Sequence, residues 1–472
     1  MKNLKGSKDM QRQQKTSCEG SSVNNRMESE GIRRVPSIPM APTKETSSAS
    51  ANKLLEDMLS GKNVLEALKR VEKNKGSHGI DGMKVDELRP FLRENWKPTR
   101  DSILKGTYKP QPVRRVEIPK PDGGKRLLGI PTVLDRFIQQ AIAQVLNQVF
   151  DPHFSESSFG FRPGRKAHDA IHKARGYMNE GYKYVVDMDL EKFFDKVNHD
   201  ILMHRISRRV KDKRVLKLIR LYLQSGVMLN GICVKNEEGT PQGGPLSPLL
   251  ANILLDDFDK ELEKRGHKFC RYADDCNIYL KSERAGQRVM KSIMNFLENK
   301  LKLKVNKEKS AVDRPTKRKF LGFSFYVAKG KYEIRIHPKS LRRVKEKIKS
   351  ITSRRRSISM EERIKKLNQV TTGWVNYFSI AKAKSIMQKL DEWTRRRLRM
   401  CIWKQWKKSK TKIKKLVSLG TPKDKAFEWG NTRKGYWRIA KSPVLHTTLN
   451  YKYFNSISYS SLTARYQKMQ VT

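Results

Sequence analysis

The chain has 472 residues, with 101 Lys and Arg against 48 Asp and Glu, a formal net charge of +53 at pH 7. That length argues for more than one compact domain, and a surplus of that size calls for a polyanionic partner. Nucleic acid fits better than a membrane, because no apolar run approaches the roughly 18 residues of a spanning helix. Cys18, Cys233, Cys270, Cys276 and Cys401 form no CxxC pair. This argues against a disulfide framework or a structural zinc site and suits a reducing cytosol. The first residues lack the apolar stretch of a secretory signal.

Residues 1–51, rich in Ser, Lys, Gln, Asn and Glu, read as a disordered leader. Helical spacing begins with Leu54, Leu55, Met58, Val64, Leu65, Leu68 and Val71 and closes at the Gly79–Gly82 turn. Val113–Pro119 and Lys125–Ile130 predict a hairpin about a Pro-Asp-Gly-Gly turn. Next come a helix over 133–149, a strand over Tyr184–Leu190, helical spacing over 200–225 and a helix over 246–264. A strand hairpin over 269–280 and a helix over 287–301 follow. This mixture predicts an α+β domain. From 314 to 420 the chain carries 33 Lys and Arg against 6 Asp and Glu, a surplus of 27. Strand signals end near Ile336, helical periodicity follows, and Gly420-Thr421-Pro422 reads as a further boundary.

The strongest local signal is Tyr272-Ala273-Asp274-Asp275 between two β-prone runs. Neighbouring strand residues face opposite sides, so both acids serve one site only near a turn. Carboxylates presented in this way suit hard divalent cations. Asp256-Asp257, on an amphipathic helix, reads instead as an ordinary water-facing pair. In Tyr184–Asp195, period-2 alternation puts Val185, Asp187 and Asp189 on one face. Two acids there are costly unless cations or water neutralise them. Periodicity alone does not choose between Asp187 and Asp189. Together the two acidic strands can supply the shared ligands of a two-metal site, with ions about 3.5–4 Å apart. Between them lies Thr240-Pro241-Gln242-Gly243-Gly244-Pro245, whose glycines let backbone approach a ligand closely.

Asp189 in a strand, the Pro-Gln-Gly loop and Tyr-Ala-Asp-Asp, in that order, resemble reverse transcriptases. Gly79-Ile80-Asp81-Gly82, Gly129-Ile130-Pro131, Phe159–Gly164, Phe320-Leu321-Gly322-Phe323 and Gly373–Phe378 are similar to the group II intron-encoded reverse transcriptase/maturases, most of all the compact bacterial group IIC type. The resemblance runs from about residue 52 to the C-terminus. It implies a right-hand polymerase: fingers and palm over 52–325, an all-α thumb/maturase domain (domain X) over 326–420 and a small DNA-binding region over 421–472.

The resemblance also implies the site. Asp189, Asp274 and Asp275 are the catalytic carboxylates that hold two Mg²⁺ ions, for which Mn²⁺ can substitute, with Asp187 in support. Phe194, five residues after Asp189, is the steric gate against a ribose 2′-hydroxyl. Lys120, Arg126, Gln242, Gly243 and Lys309 are expected around the incoming nucleotide, with Lys309 a candidate donor to pyrophosphate. Arg114 and Arg162 are expected on template backbone. Arg354, Arg355, Arg356, Arg395, Arg396 and Arg397, interleaved with Trp374, Tyr377, Trp393, Trp403 and Trp406, are expected on RNA. The implied partners are group II intron RNA, an RNA template with a DNA primer, dNTPs and target DNA, with no membrane and homodimerisation left open. The implied location is the bacterial cytoplasm, at the nucleoid when bound to DNA. No cysteine follows Cys401, so the paired-cysteine endonuclease of longer relatives is not expected. Two other readings compete: a splicing-only RNA-binding maturase, and a repurposed cellular reverse transcriptase, CRISPR-associated or diversity-generating.

Overall fold

A computed structural model describes residues 53–119, 123–229, 232–234, 238–240 and 243–471. It divides into two compact units. One runs to Ala174 and resumes over Tyr182–Asp313; the other joins Arg175–Gly181 to Arg314–Thr472. The leader, Lys120 and Gln242 lie outside the described residues.

In the first unit, β1 (Val113–Pro119) and β2 (Lys125–Ile130) form the expected antiparallel hairpin, with Ile118 opposite Arg126. The strand β3 (Tyr184–Asp189) is separated from β4 (Val227–Leu229) and β5 (Ile232–Val234) by two helices, His199–Ser207 and Lys213–Gln224. Periodicity had merged these helices, but Asp212 breaks the run because its side chain accepts from Arg214 N–H as an N-cap. Strands β6 (Lys268–Tyr272), β7 (Asp275–Leu280) and β8 (Ala311–Asp313) complete the set. One sheet has the order β2-β1-β4-β5 and the other β6-β7-β3-β8. The inner faces of the second sheet and the helices Val133–Phe150, Ser247–Lys264 and Glu283–Lys300 share one apolar core, including Val186, Met188, Phe137, Leu254, Ile278 and Leu297.

Asp256 and Asp257 do not face water as expected. Asp257 binds Arg205 (2.9 Å) and Arg208 (2.7 Å) from the end of the helix His199–Ser207, and Asp256 pairs with Lys260 one turn along its own helix.

The second unit begins with the hairpin β9 (Phe323–Ala328) and β10 (Lys331–Ile336), which falls with the helical part and not with the palm-like sheet. The helices Pro338–Ile351, Met360–Phe378 and Lys384–Gln405 follow. Residues beyond 420 belong to the same unit. Buried Asp391 accepts from Tyr459 Oη (2.7 Å), Ser461 Oγ (2.7 Å) and Arg395 (2.5 Å), pinning the C-terminal segment to the long helix. A lone buried carboxylate is costly, and this one is neutralised and saturated. Among the described residues no helix is long and apolar enough to cross a membrane.

Candidate active site

The β3–β7 register sets Asp189 directly opposite Asp275 and Asp187 opposite Asn277. Cross-strand partners share a face, so Asp187, Asp189, Asp275 and Asn277 point to one side of the sheet. The side-chain amide of Asn277, oriented by its neighbours, donates to Asp187 Oδ1 at 3.0 Å. Asp274 sits one residue earlier, in the turn, after Ala273 with a left-handed φ of 58°. Burial raises the Asp274 carboxyl above the ordinary range and the Asp189 charge adds to the rise, while Arg126 and Arg271 oppose it. Asp189 and Asp274 are therefore a mutually repelling carboxylate pair within reach of a basic hairpin.

Asp189 is fixed by its backbone. Its N–H donates to Ser310 Oγ (3.0 Å) and its carbonyl accepts from Asn306 N–H (2.9 Å). The same 306–310 turn places Lys309 Nζ 3.5 Å from Asp189 Oδ2. Phe194 is half-buried and meets Phe193 edge-on at 5.1 Å; Phe193 takes the core position. The Phe194 carbonyl accepts from Thr240 N–H at 2.7 Å, tying this segment to the start of the Pro-Gln-Gly loop.

A buried platform lies beneath the turn. Arg271, 1% exposed, forms a two-pronged ion pair with Asp259, 0% exposed (2.6 and 2.5 Å). It also donates to Asn252 Oδ1 (3.0 Å), Ser158 Oγ (2.8 Å) and the Ala273 carbonyl (2.9 Å). Asn252 in turn donates to the Gly160 carbonyl (2.8 Å). A Cβ on Gly160 would stand 2.3 Å from Ala273 N, so the Phe159-Gly160-Phe161 segment must carry glycine there to lie against the turn. Sequence reasoning missed Arg271, Asp259, Asn252, Asn306 and Ser310. An Arg inside a β-prone run, directly before the acidic turn, was the available signal for the first.

Several expected residues have partners within the protein itself. Arg162 is 7% exposed and donates to Asp151 Oδ1 (2.7 Å) and to the carbonyls of Asp151 (2.8 Å), Ser155 (2.6 Å) and Ser158 (3.0 Å). These contacts brace its own loop. Arg114 donates to Ser77 Oγ (2.8 Å) and the His78 carbonyl (2.8 Å). Gly243, at φ 135°, would bring a Cβ within 2.8 Å of the Gly129 carbonyl, and Gly244 within 2.3 Å of Gln139 Oε1. These glycines meet the protein's own Gly129-Ile130-Pro131 segment and the adjoining helix. Arg395 is committed to Asp391, and Arg397 donates to Thr352 Oγ1 (2.5 Å). Arg354, Arg355 and Arg356 lie in the loop between two helices.

Among the described residues no group of three or more His, Cys, Asp or Glu side chains gathers as a metal cage. The all-oxygen donors of Asp189 and Asp274 nevertheless suit Mg²⁺. That ion keeps several waters and is held by one or two carboxylates plus substrate phosphates.

Residues 118–325 match the family model described as reverse transcriptase (RNA-dependent DNA polymerase). With the acidic turn and its sheet, this defines the chain as a nucleic-acid-copying enzyme of the reverse transcriptase class. Residues 341–418 match the group II intron, maturase-specific domain. Protein YkfC of Escherichia coli K12 is 32% identical over 289 residues, covering 53% of this chain and 76% of that protein. The group II intron-encoded protein LtrA of Lactococcus lactis subsp. cremoris is 30% identical over 327 residues, covering 55% of this chain and 54% of LtrA. The chain thus spans about half the length of LtrA. A solved partial Cas6-RT-Cas1–Cas2 complex is 27% identical over 52% of this chain and 42% of that one, with a TM-score of 0.34. The chain belongs to the group II intron-encoded reverse transcriptase/maturase family. The family couples RNA-directed DNA polymerisation to a maturase role in splicing, and its fold implies Mg²⁺-dependent chemistry.

Proposed function

We propose that this chain copies an RNA template into DNA at Asp189 and Asp274, with Asp275 as the accessory carboxylate, and that it binds its parent intron RNA to assist splicing and retrohoming. The observation that carries the reading is the paired placement of Asp189 at the end of β3 and Asp274 in the β6–β7 turn, one carboxyl raising the pKa of the other. Such repulsion favours a bound cation. Two Mg²⁺ ions would supply activation of the primer 3′-hydroxyl and neutralisation of the departing pyrophosphate. The chain's own residues do the rest. The backbone clasp from Asn306 and Ser310 holds Asp189 in place. Lys309 stands where it can offset charge or deliver a proton at its Nζ, and Arg126 adds positive charge from the hairpin. Phe194 sets a wall against a 2′-hydroxyl, beside the loop that carries Gln242 and Gly243. Lys120 is assigned to the triphosphate by its place before the hairpin turn.

On this reading the first unit supplies fingers and palm. The basic second unit supplies thumb, RNA-binding surface and a C-terminal DNA-binding region, and the partners are intron RNA, template–primer, dNTPs and target DNA. The test is primer extension. Purified protein with Mg²⁺ extends a DNA primer on an RNA template, and Asp274→Ala abolishes extension while RNA binding persists. Normal extension by that variant overturns the site assignment.

A further inference from the structure

The second unit carries a pocket that the polymerase chemistry does not use. Ser353, Arg354, Arg355, Arg397, Met400 and Trp437 line an open space of about 300 Å³. Its walls come from the loop after Pro338–Ile351, the long helix Lys384–Gln405 and the short helix Tyr436–Ile439. That volume lies at the lower end of the roughly 300–1,000 Å³ range of small-ligand sites.

The walls have an unusual composition. Trp437 is 38% exposed, whereas Trp403 on the long helix is 2% exposed and part of the core. The Arg396 guanidinium stacks 3.8 Å from the Trp437 ring centroid and donates to the Trp437 carbonyl (3.0 Å), so the indole is held in place. Arg397 lies 6.0 Å from the same ring and is anchored to Thr352 Oγ1 and to the carbonyls of Lys349 and Thr352 (3.2 Å each). Arg354 packs over Tyr436 at 5.1 Å. The Arg355 guanidinium has no hydrogen-bond or ion-pair partner among the described residues, and only its backbone N–H is bonded, to Ser353 Oγ. None of Arg354, Arg355, Arg396 and Arg397 is paired with a carboxylate there, although Arg395, on the same helix, is. Four guanidinium groups gathered without an acid repel one another unless an anion joins them. An exposed ring and a buried Met400 lining the same space call for a flat, apolar body on that anion.

We infer that this pocket takes one unpaired nucleotide of a nucleic-acid strand, its base against Trp437 and Met400 and its phosphate on Arg354 and Arg355. The inference deepens the proposed nucleic-acid-binding role of this unit and rests on it. A stacked duplex keeps its bases inside, whereas a loop, bulge or single strand can place one base in such a pocket. An unpaired nucleoside phosphate can come from RNA or from single-stranded DNA, and the two arms below separate these sources.

The test uses the full chain and three 15-mers: single-stranded RNA, the matching DNA, and an abasic strand with the same phosphates. Trp437→Ala should weaken binding of the base-bearing strands by about 5- to 150-fold, the range for losing one stacked base. The abasic strand should bind both proteins equally. Trp437→Phe, which keeps a ring, should recover most of the loss, which separates stacking from misfolding. Arg355→Gln should lower the salt dependence of all three strands by about one phosphate contact. Strands carrying 5-iodouracil should crosslink at Trp437 or Met400, and the tighter of the RNA and DNA arms identifies the source. Equal weakening of the abasic strand by Trp437→Ala, or crosslinks only elsewhere, overturns the inference. Extension of a pre-annealed template–primer by the unmodified chain is read separately. If it extends while the stacking result fails, only the pocket falls; if it does not extend while stacking holds, only the polymerase reading falls.

Discussion

Replacing Arg271 by Met removes a side chain that ties the acidic turn to the core. The Arg271–Asp259 pair is almost fully buried, at 1% and 0% side-chain exposure. The single variant leaves Asp259 without its partner in a place where burial already pushes the carboxyl upward. Breaking a buried pair from one side costs about 3–5 kcal/mol. The double variant Arg271→Met/Asp259→Leu removes both charges, and apolar replacement of a whole buried pair is often neutral, so most of that stability returns. Neither variant supplies a donor to the Ala273 carbonyl, which Arg271 holds at 2.9 Å while Ala273 sits at φ 58°. A hydrogen bond from a charged group contributes about 1.5–3 kcal/mol, and here its loss falls on the residue before Asp274. A displacement of about 1 Å in a reacting group can lower the rate about 100-fold. Urea unfolding and single-turnover primer extension with saturating template–primer separate the two effects. Both variants should lose about 100-fold in kcat with little change in the KM for dNTP, while differing by about 3 kcal/mol in stability. If the double variant regains full activity, Arg271 does not position the turn; if the single variant is as stable as the parent, the buried pair does not tie the turn to the core.

Gly160→Ala should lower primer extension by more than 10-fold, because its Cβ would lie 2.3 Å from Ala273 N, whereas Gly164→Ala, with open space around it, should cost only stability. Phe194→Val should raise incorporation of ribonucleotides over deoxyribonucleotides in competition assays; unchanged sugar selectivity would remove its role as a gate. His337 caps the helix Pro338–Ile351 by accepting from Lys339 N–H at 3.1 Å, and burial, with Lys319, Lys339 and Arg335 nearby, holds its pKa below the ordinary 6.5. A depressed imidazole pKa means that this stability is complete above pH 6.5 and is lost as pH falls through the folded-state value. Melting between pH 7 and pH 5 should therefore show a loss of about 1 kcal/mol that His337→Asn, which caps at either pH, abolishes. Asp274→Asn should be more stable than the parent at pH 7 in EDTA, because a raised carboxyl pKa makes the ionised form a net cost above that value. The difference should close or reverse with saturating Mg²⁺.

Local patterning was a good guide wherever one face of an element is buried. The β1–β2 hairpin and the helix starting at Val133 lie where turn chemistry and periodicity put them, because Gly123 and Gly124 adopt the left-handed φ values of 91° and 76° and Thr132 caps the helix. The two acidic strands were legible for the same reason, since alternation puts Asp187 and Asp189 on one face, but it does not choose between them. What could not be read was anything set by a partner distant in sequence. Arg162 and Arg271 are both arginines in loop-and-strand contexts on a strongly basic chain, and sequence alone points Arg162 toward a template phosphate and gives Arg271 no role. The fold gives each a buried acceptor set instead, 11 residues away for Arg162 and 12 and 113 residues away for Arg271. The Gly243-Gly244 pair was similarly ambiguous, since a glycine needed for close approach does not say to what.

The same distinction divides the net charge of +53 into two populations. Some guanidinium groups are consumed by acids and carbonyls inside the fold, as in Arg162, Arg271, Arg363 and Arg399. Where the partner is an acid, as Asp259 is for Arg271 and Asp151 for Arg162, the positive charge reaches a distant phosphate only weakly. Others, such as Arg355, have no acceptor within the protein's described residues and carry their charge outward. A count of basic residues therefore overstates the binding surface, whereas a count of unpaired ones locates it. The acidic turn shows the converse: burial and the Asp189 charge hold the Asp274 carboxyl above its ordinary range, and the nearby cations Lys309, Arg126 and Arg271 offset that negative charge only in part. An unbalanced charge of either sign costs folding energy, and two such places on one chain, one acidic and one basic, mark where a cation and a polyanion restore the balance.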